Sequence, residues 1–393
     1  MQSLVQKSLH FIFTTLWIFV FLTASSDVEA NEDKPFTINK IRDHVYVISH
    51  IGKNGHINLG VVEADDGLLL INSWMEWGKE EYAAAIKTIS DKPVKYVINS
   101  NDDPYNHQGN KFWADQGAVI ISHENFKYSP GYHQVLFKDK LSLTFGSEHI
   151  IAYKSSAHSL GHINIFLEQA NVAFMADSFR NDWFSPQGEK GLVGYLEGLD
   201  KALSMGNEKT LFVPGNTGNK ITSNATDVRK VRAIVSQFTE RVGQLYKQGL
   251  SVNEIVRDEQ LAALAQHFEK YSVYKNSLRG RVISIIETNF IKPFSLSPKE
   301  LIGYTGIYKL DDNSAIEVVI EEGALLAREE GKFLFELTPH SREKFDFKKE
   351  ARTDHLTFQF STDGKVQSLQ PVLQENSWWL EYIPPVKRFK VPS

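Results

Sequence analysis

The chain of 393 residues contains no cysteine. That excludes disulfides, thiolate metal ligands and membrane attachment through a lipidated cysteine, so stability must come from ordinary apolar cores. A basic face is missing too. Lys and Arg number 43 against 48 Asp and Glu, a formal net charge of −5, whereas nucleic-acid binding calls for clustered positive charge. No low-complexity tract interrupts a composition that is 42% hydrophobic and 23% charged, that of a globular protein with room for two folded units. The apolar run "FIFTTLWIFVFLTA", Phe11 to Ala24, is too short for a comfortable membrane span and matches a signal-peptide core, with small residues at Val28 and Ala30. The expectation is a signal peptide over residues 1–30 and a periplasmic or secreted protein with no stable membrane span after cleavage. No Gly-x-Ser-x-Gly elbow and no phosphate-binding glycine loop is present.

What is there begins with alternating strands. "DHVYVISHIG" and "HINLGVVEADDGLLLINS" predict strands, with a turn signal in "ADDG" between two apolar runs. "KEEYAAAIKTIS" sets Tyr82, Ala85, Ile86 and Ile89 at helical spacing. "VKYVINS", "NKFWADQG" and "AVIISHENF" predict strand, short helix ending at Gly117, and strand, which together make an α/β layered sheet. Two more strand segments follow, "SLTFGSEHIIAYKSS" and "HINIFLEQANVAFMADSF", then "KTLFVPGNTG" as a strand ending in a glycine-bearing loop. Val228, Val231, Val235, Phe238, Val242 and Leu245 mark an amphipathic helix over 226–248, closed by Gly249. "SVNEIV" opens another helix with a Ser cap and a Glu three residues on. Beyond about residue 296 the texture turns to short alternating strands, "AIEVVI", "ALLARE", "FLFELT", "HLTFQF" and "SWWLEYI", a small antiparallel β domain or barrel.

The order of parts over residues 35–290 resembles the metallo-β-lactamase superfamily, through "GLLLINS", "VINS", "AHSLGH", "FMADSF" and "LFVPG". The resemblance implies an αββα sandwich with a metal site between its sheets, followed here by a second, smaller antiparallel β domain. The expected division is residues 31–296 and 297–393. It further implies hydrolysis through two zinc ions, held by a Thr-His-x-His-x-Asp-His-x-Gly-Gly-Asn motif, two further His and a bridging Asp. On this chain that motif falls on Ser100 to Asn110, and Gly109 and Asn110 fix the alignment. Its histidines fall on Asn101, Asp103 and Asn106, and its Asp on Tyr105. The downstream His is kept as His158, with His162 after it, and the bridging Asp as Asp177. The final Pro-Gly-His ligand is Asn216, and the Asp that props the ligand loop is Asn72.

Carboxamide oxygens are poor substitutes for imidazole or anionic zinc ligands. A structural zinc site is worth roughly 10–16 kcal/mol, on the order of 3 kcal/mol per ligand. One metal position would rest on Tyr105, Asn106, Asn216 and Asp177, and one good ligand leaves it weaker than about millimolar. The other would rest on Asn101, Asp103, His158 and Asp177. Three real ligands correspond to about 9 kcal/mol, near micromolar, with a preference for harder ions such as manganese, iron or calcium over a His-rich zinc site. Tyr105 is neutral near neutral pH and offers a hydrogen bond where an orienting carboxylate is needed.

The leading expectation is a non-hydrolytic pseudoenzyme that binds a small-molecule ligand or a partner in the old cleft, with no cofactor. One alternative is a hydrolase using a single divalent metal (zinc, manganese or iron) at Asp103, His158 and Asp177. Another is an interaction protein working through its β domain. Catalytic candidates are Tyr105 and His107, the latter better explained as a loop hydrogen-bonder. His56 and His123 are expected to satisfy backbone groups. Lys275 and Arg279 could serve an acidic ligand, and an exposed helix explains them equally well; Trp378 and Trp379 could line a barrel mouth, with one ring in the core the default for a strand. Tyr304-Thr-Gly306-Ile-Tyr308 resembles the start of the small β domain appended to some serine β-lactamase-related hydrolases, which implies an accessory role.

Overall fold

The structure is a computed structural model that describes residues 35–52, 55–125, 134–188, 190–217, 220–268, 278–291, 294–311, 314–321, 323–329, 333–347, 354–373 and 387–391. Two compact units divide the chain at Lys34/Pro35, and every described residue falls in the second, Pro35–Ser393. The signal peptide, Lys275, Trp378 and Trp379 lie outside the described residues. Among the described residues no helix is long and apolar enough to cross a membrane.

Strands that are apolar along their whole length must be covered on both faces. β4 (Gly67–Ile71) and β11 (Val172–Ala176) are apolar and buried at every position, and β10 (Ile163–Leu167), apolar except for Asn164, is buried throughout as well. The first sheet runs β1 (Phe36–Arg42), β2 (Val45–Gly52), β3 (Gly55–Ala64), β4, β5 (Val94–Ile98), β6 (Val119–His123) and β7 (Gln134–Phe137), with the short β13 (Asn216–Thr217) also paired to β3. The second runs β12 (Leu211–Pro214), β11, β10, β9 (Glu148–Lys154) and β8 (Lys140–Phe145). Between them Val47, Leu69, Ile71 and Ile98 pack against Ile150, Ile163, Ile165 and Phe174. The sheets approach closely at Gly60, where a Cβ would lie 2.7 Å from Phe174 Cε1.

Helices cover both outer faces. Tyr82 and Ile86 of α1 (Lys79–Lys87) and Trp113 of α3 (Asn110–Asp115) join the layer over the first sheet, with α2 (Pro104–His107) in the loop between them. Over the second lie α4 (Gly191–Met205), α5 (Ala225–Lys247) and the helix Leu278–Asn289. α5 starts at the Asn224/Asp227 capping box, buries the expected apolar stripe, and is followed by Gly249 at φ +85°. The result is an αββα sandwich.

The "SLTFGSEHIIAYKSS" segment is a hairpin rather than one strand, because Gly146 at φ +57° turns β8 back onto β9. β7 was not expected, being short and exposed at the sheet edge. After Ser297 caps the helix Pro298–Ile302, the chain closes an eight-stranded antiparallel barrel, β14 (Gly306–Asp311) to β21 (Arg388–Lys390). Tyr304 and Tyr308 are buried in its core. Tyr308 Oη donates to the Tyr304 carbonyl at 2.7 Å, and the Tyr304 ring lies 4.7 Å from Phe345. Gly306 between them sits at φ +137°, a conformation L-residues with a Cβ avoid.

Candidate functional site

Five segments meet at one end of the sandwich: the ends of β4, β5, β11 and β12, and the connection between β9 and β10. Each end is held by backbone geometry that leaves little slack. Asn72, at φ +71°, accepts the Ser100 N–H through Oδ1 at 2.8 Å, so an αL-tolerant amide props the loop after β5. That loop is further tied by Ser73 N to Asn106 O (3.0 Å) and Gly109 N to Trp74 O (2.8 Å). Ala176, at φ +43°, turns β11 so that Asp177 points inward, and Gly215 N donates to its carbonyl at 2.8 Å. Backbone strain of this kind costs about 1–3 kcal/mol and persists where surroundings impose it.

Asp177 is the hub, and it is 5% exposed. Its Oδ1 accepts from Tyr105 Oη at 2.8 Å and Asn216 Nδ2 at 2.8 Å. Its Oδ2 accepts from Asn101 Nδ2 at 2.7 Å and Asn106 Nδ2 at 3.4 Å. A carboxylate offers about four acceptor sites, so all are in use. The four donors are the residues that stand where the resemblance places metal ligands.

The amide orientation of Asn101 follows from its neighbours. Its Oδ1 faces the Asp103 backbone N–H at 2.8 Å, which can only donate, and also accepts from Asn106 Nδ2 at 2.5 Å. Its Nδ2 therefore faces Asp177 and His162 Nδ1, the latter at 3.3 Å. His162 Nε2 lies 3.1 Å from Asn164 Oδ1, which also accepts from Ser178 Oγ at 3.0 Å. An acceptor at Nε2 and a donor at Nδ1 fix one neutral tautomer. Burial drives the His162 pKa down, in keeping with that neutral ring. Asn164 was missed from sequence, although a lone polar residue in the all-buried strand "INIFL" was its signal.

His158 differs. Burial pushes its pKa down, but the hydrogen bond and charge of Asp103, at 3.2 Å, and the charge of Asp177 outweigh burial and leave it raised. Its Nδ1 is buried and has no hydrogen-bond partner among the described residues, so Asp103 is the ring's polar anchor. Burial likewise pushes Asp177 up, yet the His158 charge and the hydrogen bonds from Asn101 and Tyr105 hold it below the usual range. Tyr105 is pushed well above its usual value by burial and by the charges of Asp177 and Asp103, so it remains a neutral donor. Burial lowers His107 to about 4.

A dinuclear zinc pair does not fit this donor set. Every acceptor site of the bridging carboxylate faces an N–H or O–H, and three of the imidazole positions carry amides. A single ion is different. The ligand atoms of Asp103, His158 and Asp177 lie within 4.8 Å of one another and could hold one metal, so Asp103 does reach despite its short side chain. His56 sits on β3 opposite Thr217, next to Asn216. His123 Nδ1 accepts from the Asn125 N–H, away from Asp177. Arg279 bonds Asn253 on the helical side.

No family model and no curated protein matches the chain. Solved structures do. A metallo-β-lactamase from Pontibacter korlensis is 16% identical over 51% of this chain and 99% of that one, with a TM-score of 0.44. The metallo-β-lactamase IND-7 is 14% identical over 52% and 99%, TM-score 0.45. The stereoselective inverting sec-alkylsulfatase Pisa1 from Pseudomonas sp. is 14% identical over 68% of this chain and 53% of that one, TM-score 0.52. The likeness is one of fold. The chain is a metallo-β-lactamase-fold protein with a second, antiparallel β-barrel domain.

Proposed function

We propose that this is an exported protein, periplasmic or secreted after loss of residues 1–30, whose metallo-β-lactamase-fold domain (31–296) binds a small ligand or a partner in its cleft without hydrolysing it. The domain 297–393 serves it as an accessory. One observation carries the reading: Asp177 is saturated by four neutral protein donors at the former ligand positions. These donors supply the hydrogen bonds that compensate a buried carboxylate, a task two cations perform in a dinuclear centre. Tyr105, where an orienting carboxylate is required, is a neutral donor and cannot serve as a base near neutral pH.

The cluster of Asp103, His158 and Asp177 favours a second reading, a hydrolase working with one divalent ion of zinc, manganese or iron. Such an ion would take a lone pair from Asp177 and require neutral His158, against the raised pKa that the two carboxylates give that ring. Elemental analysis of the purified protein separates the two. Sub-stoichiometric metal, unchanged by His158→Ala or Asp177→Ala, is the expected result. Near-stoichiometric metal abolished by both substitutions would overturn the pseudoenzyme reading. Secondary alkyl sulfates are the first hydrolysis probes, given the fold likeness to an alkylsulfatase.

A further inference from the structure

Far along the chain from the cleft residues, the barrel carries a face on which apolar and cationic side chains sit together. β14 and β21 pair antiparallel, with Lys309 opposite Phe389, and Val391 N donates to Ile307 O at 2.8 Å. Side chains alternate across a strand. Tyr308 and Arg388 are fully buried, so Ile307 and Lys309 on one strand and Lys387, Phe389 and Val391 on the other point outward. Phe389 is 57% exposed, Ile307 43% and Val391 38%. Lys387 Nζ lies 5.2 Å from the Phe389 ring centre. On the neighbouring strand, Glu317 opposite Ile307 is committed to Arg328 at 2.7 Å. Neither Lys309 nor Lys387 has a carboxylate partner among the described residues.

A local excess of lysine without a carboxylate partner among the described residues, on a chain whose net charge is −5, is directional, and it lies around an exposed aromatic ring. We propose that this face docks the barrel on an anionic lipid bilayer surface. Phe389, Ile307 and Val391 enter the boundary between headgroups and acyl chains, and Lys309 and Lys387 meet lipid phosphates. That pairing of apolar insertion with cationic contact is what interfacial membrane binding requires. A second copy fits poorly, since a two-fold interface here would bring the lysines of one copy against those of the other.

The test uses the compact unit Pro35–Ser393, which lacks the apolar N-terminal run. Co-sedimentation is measured with phosphatidylcholine vesicles, with and without phosphatidylglycerol. Binding is expected only with phosphatidylglycerol, weakening as salt is raised. Lys309→Gln and Lys387→Gln should each lower the partition about fivefold, and Phe389→Ser should lower it further, all with unchanged unfolding midpoints. Equal binding to both vesicles, binding to neither, or unaltered binding by the variants would overturn the proposal. So would a dimer in sedimentation velocity that Phe389→Ser dissolves.

Discussion

Asn101 Nδ2 lies 2.7 Å from Asp177 Oδ2, and the backbone N–H of Asp103, which can only donate, holds the Asn101 oxygen turned away. Asn101→Asp would set a second carboxylate against the first in a buried site. Two carboxylates at that distance cannot both stay ionised, so one takes up a proton. At pH 7.5 the variant should be destabilised by about 3 kcal/mol, and part of the loss should return near pH 5, where the shared proton binds readily. Denaturant midpoints at the two pH values check this. A variant as stable as the parent at both would mean that the contact does not exist.

Asp177→Asn tests the same centre from the other side. The replacement keeps one acceptor oxygen and introduces an NH₂ group facing at least one of Tyr105, Asn216, Asn101 and Asn106, all of which donate to Asp177. Leaving buried donors unpaired costs about 1–3 kcal/mol each, so a loss of roughly 3 kcal/mol is expected. A chelator should leave the midpoint of the parent protein where it was. A drop on chelation that added zinc or manganese restores would show that an ion, not the amide donors, holds this carboxylate.

The layers were legible because they rest on periodicity and on strands that are apolar throughout or at all but one position. β4, β10 and β11 announce burial on both faces, and the α5 stripe and its capping box mark a helix. The Gly-Asn pair after the loop located the site. What spacing could not show was where the amides point. That depends on partners distant in sequence: Asn216 meets Tyr105 across 111 positions, and Asn101 meets Asp177 across 76. The strained turn at Ala176 also leaves no mark in its residue type. The edge strand β7 was missed because half of it faces solvent and follows no alternation.

Acid should weaken the fold through its buried imidazoles. Burial lowers His107 to about 4 and lowers His162 as well, against an unfolded value near 6.5. Between those values the unfolded chain binds protons that the folded one refuses, so stability falls as pH drops below about 6.5. For His107 alone the full span corresponds to up to about 3 kcal/mol. His158, whose pKa is raised, acts oppositely: its contribution is complete below about 6.5 and is lost as pH rises through its folded value. The depressed Asp177 is lost only in stronger acid, below about 4. Denaturant midpoints from pH 7 to 4 should decline, and His107→Gln should flatten part of the slope. A flat profile would remove the assignment of both rings as neutral.

The close approach of the sheets offers a test of packing apart from the site. A Cβ at Gly60 would lie 2.7 Å from Phe174 Cε1 and 3.0 Å from Ile71 Cβ. Gly60→Ala should therefore destabilise the sandwich by about 1–3 kcal/mol through overpacking. Phe174→Leu removes the clashing ring edge, so the double variant should cost less than the sum of the two singles. Additive losses would place the strain somewhere other than this contact.

The most demanding prediction is reversal. The loop backbones at the positions where the resemblance places metal ligands are tied by Ser73, Trp74 and Gly109, and Asn72 props Ser100. Asn101→His alone should recruit no zinc, because Asp177 keeps its donors from Tyr105, Asn106 and Asn216 and the remaining positions lack imidazoles. Replacing all five altered positions together, Asn101→His, Asp103→His, Tyr105→Asp, Asn106→His and Asn216→His, removes those donors and supplies imidazole and carboxylate ligands at once. Tyr105→Asp also vacates the volume the larger rings need. Since each ligand is worth on the order of 3 kcal/mol, affinity should rise steeply only when the set is complete, and elemental analysis should find about two zinc ions per folded chain. If the fivefold variant folds and binds no zinc, the loops have moved away from metal-ready geometry and the amide network is more than a substitution of side chains.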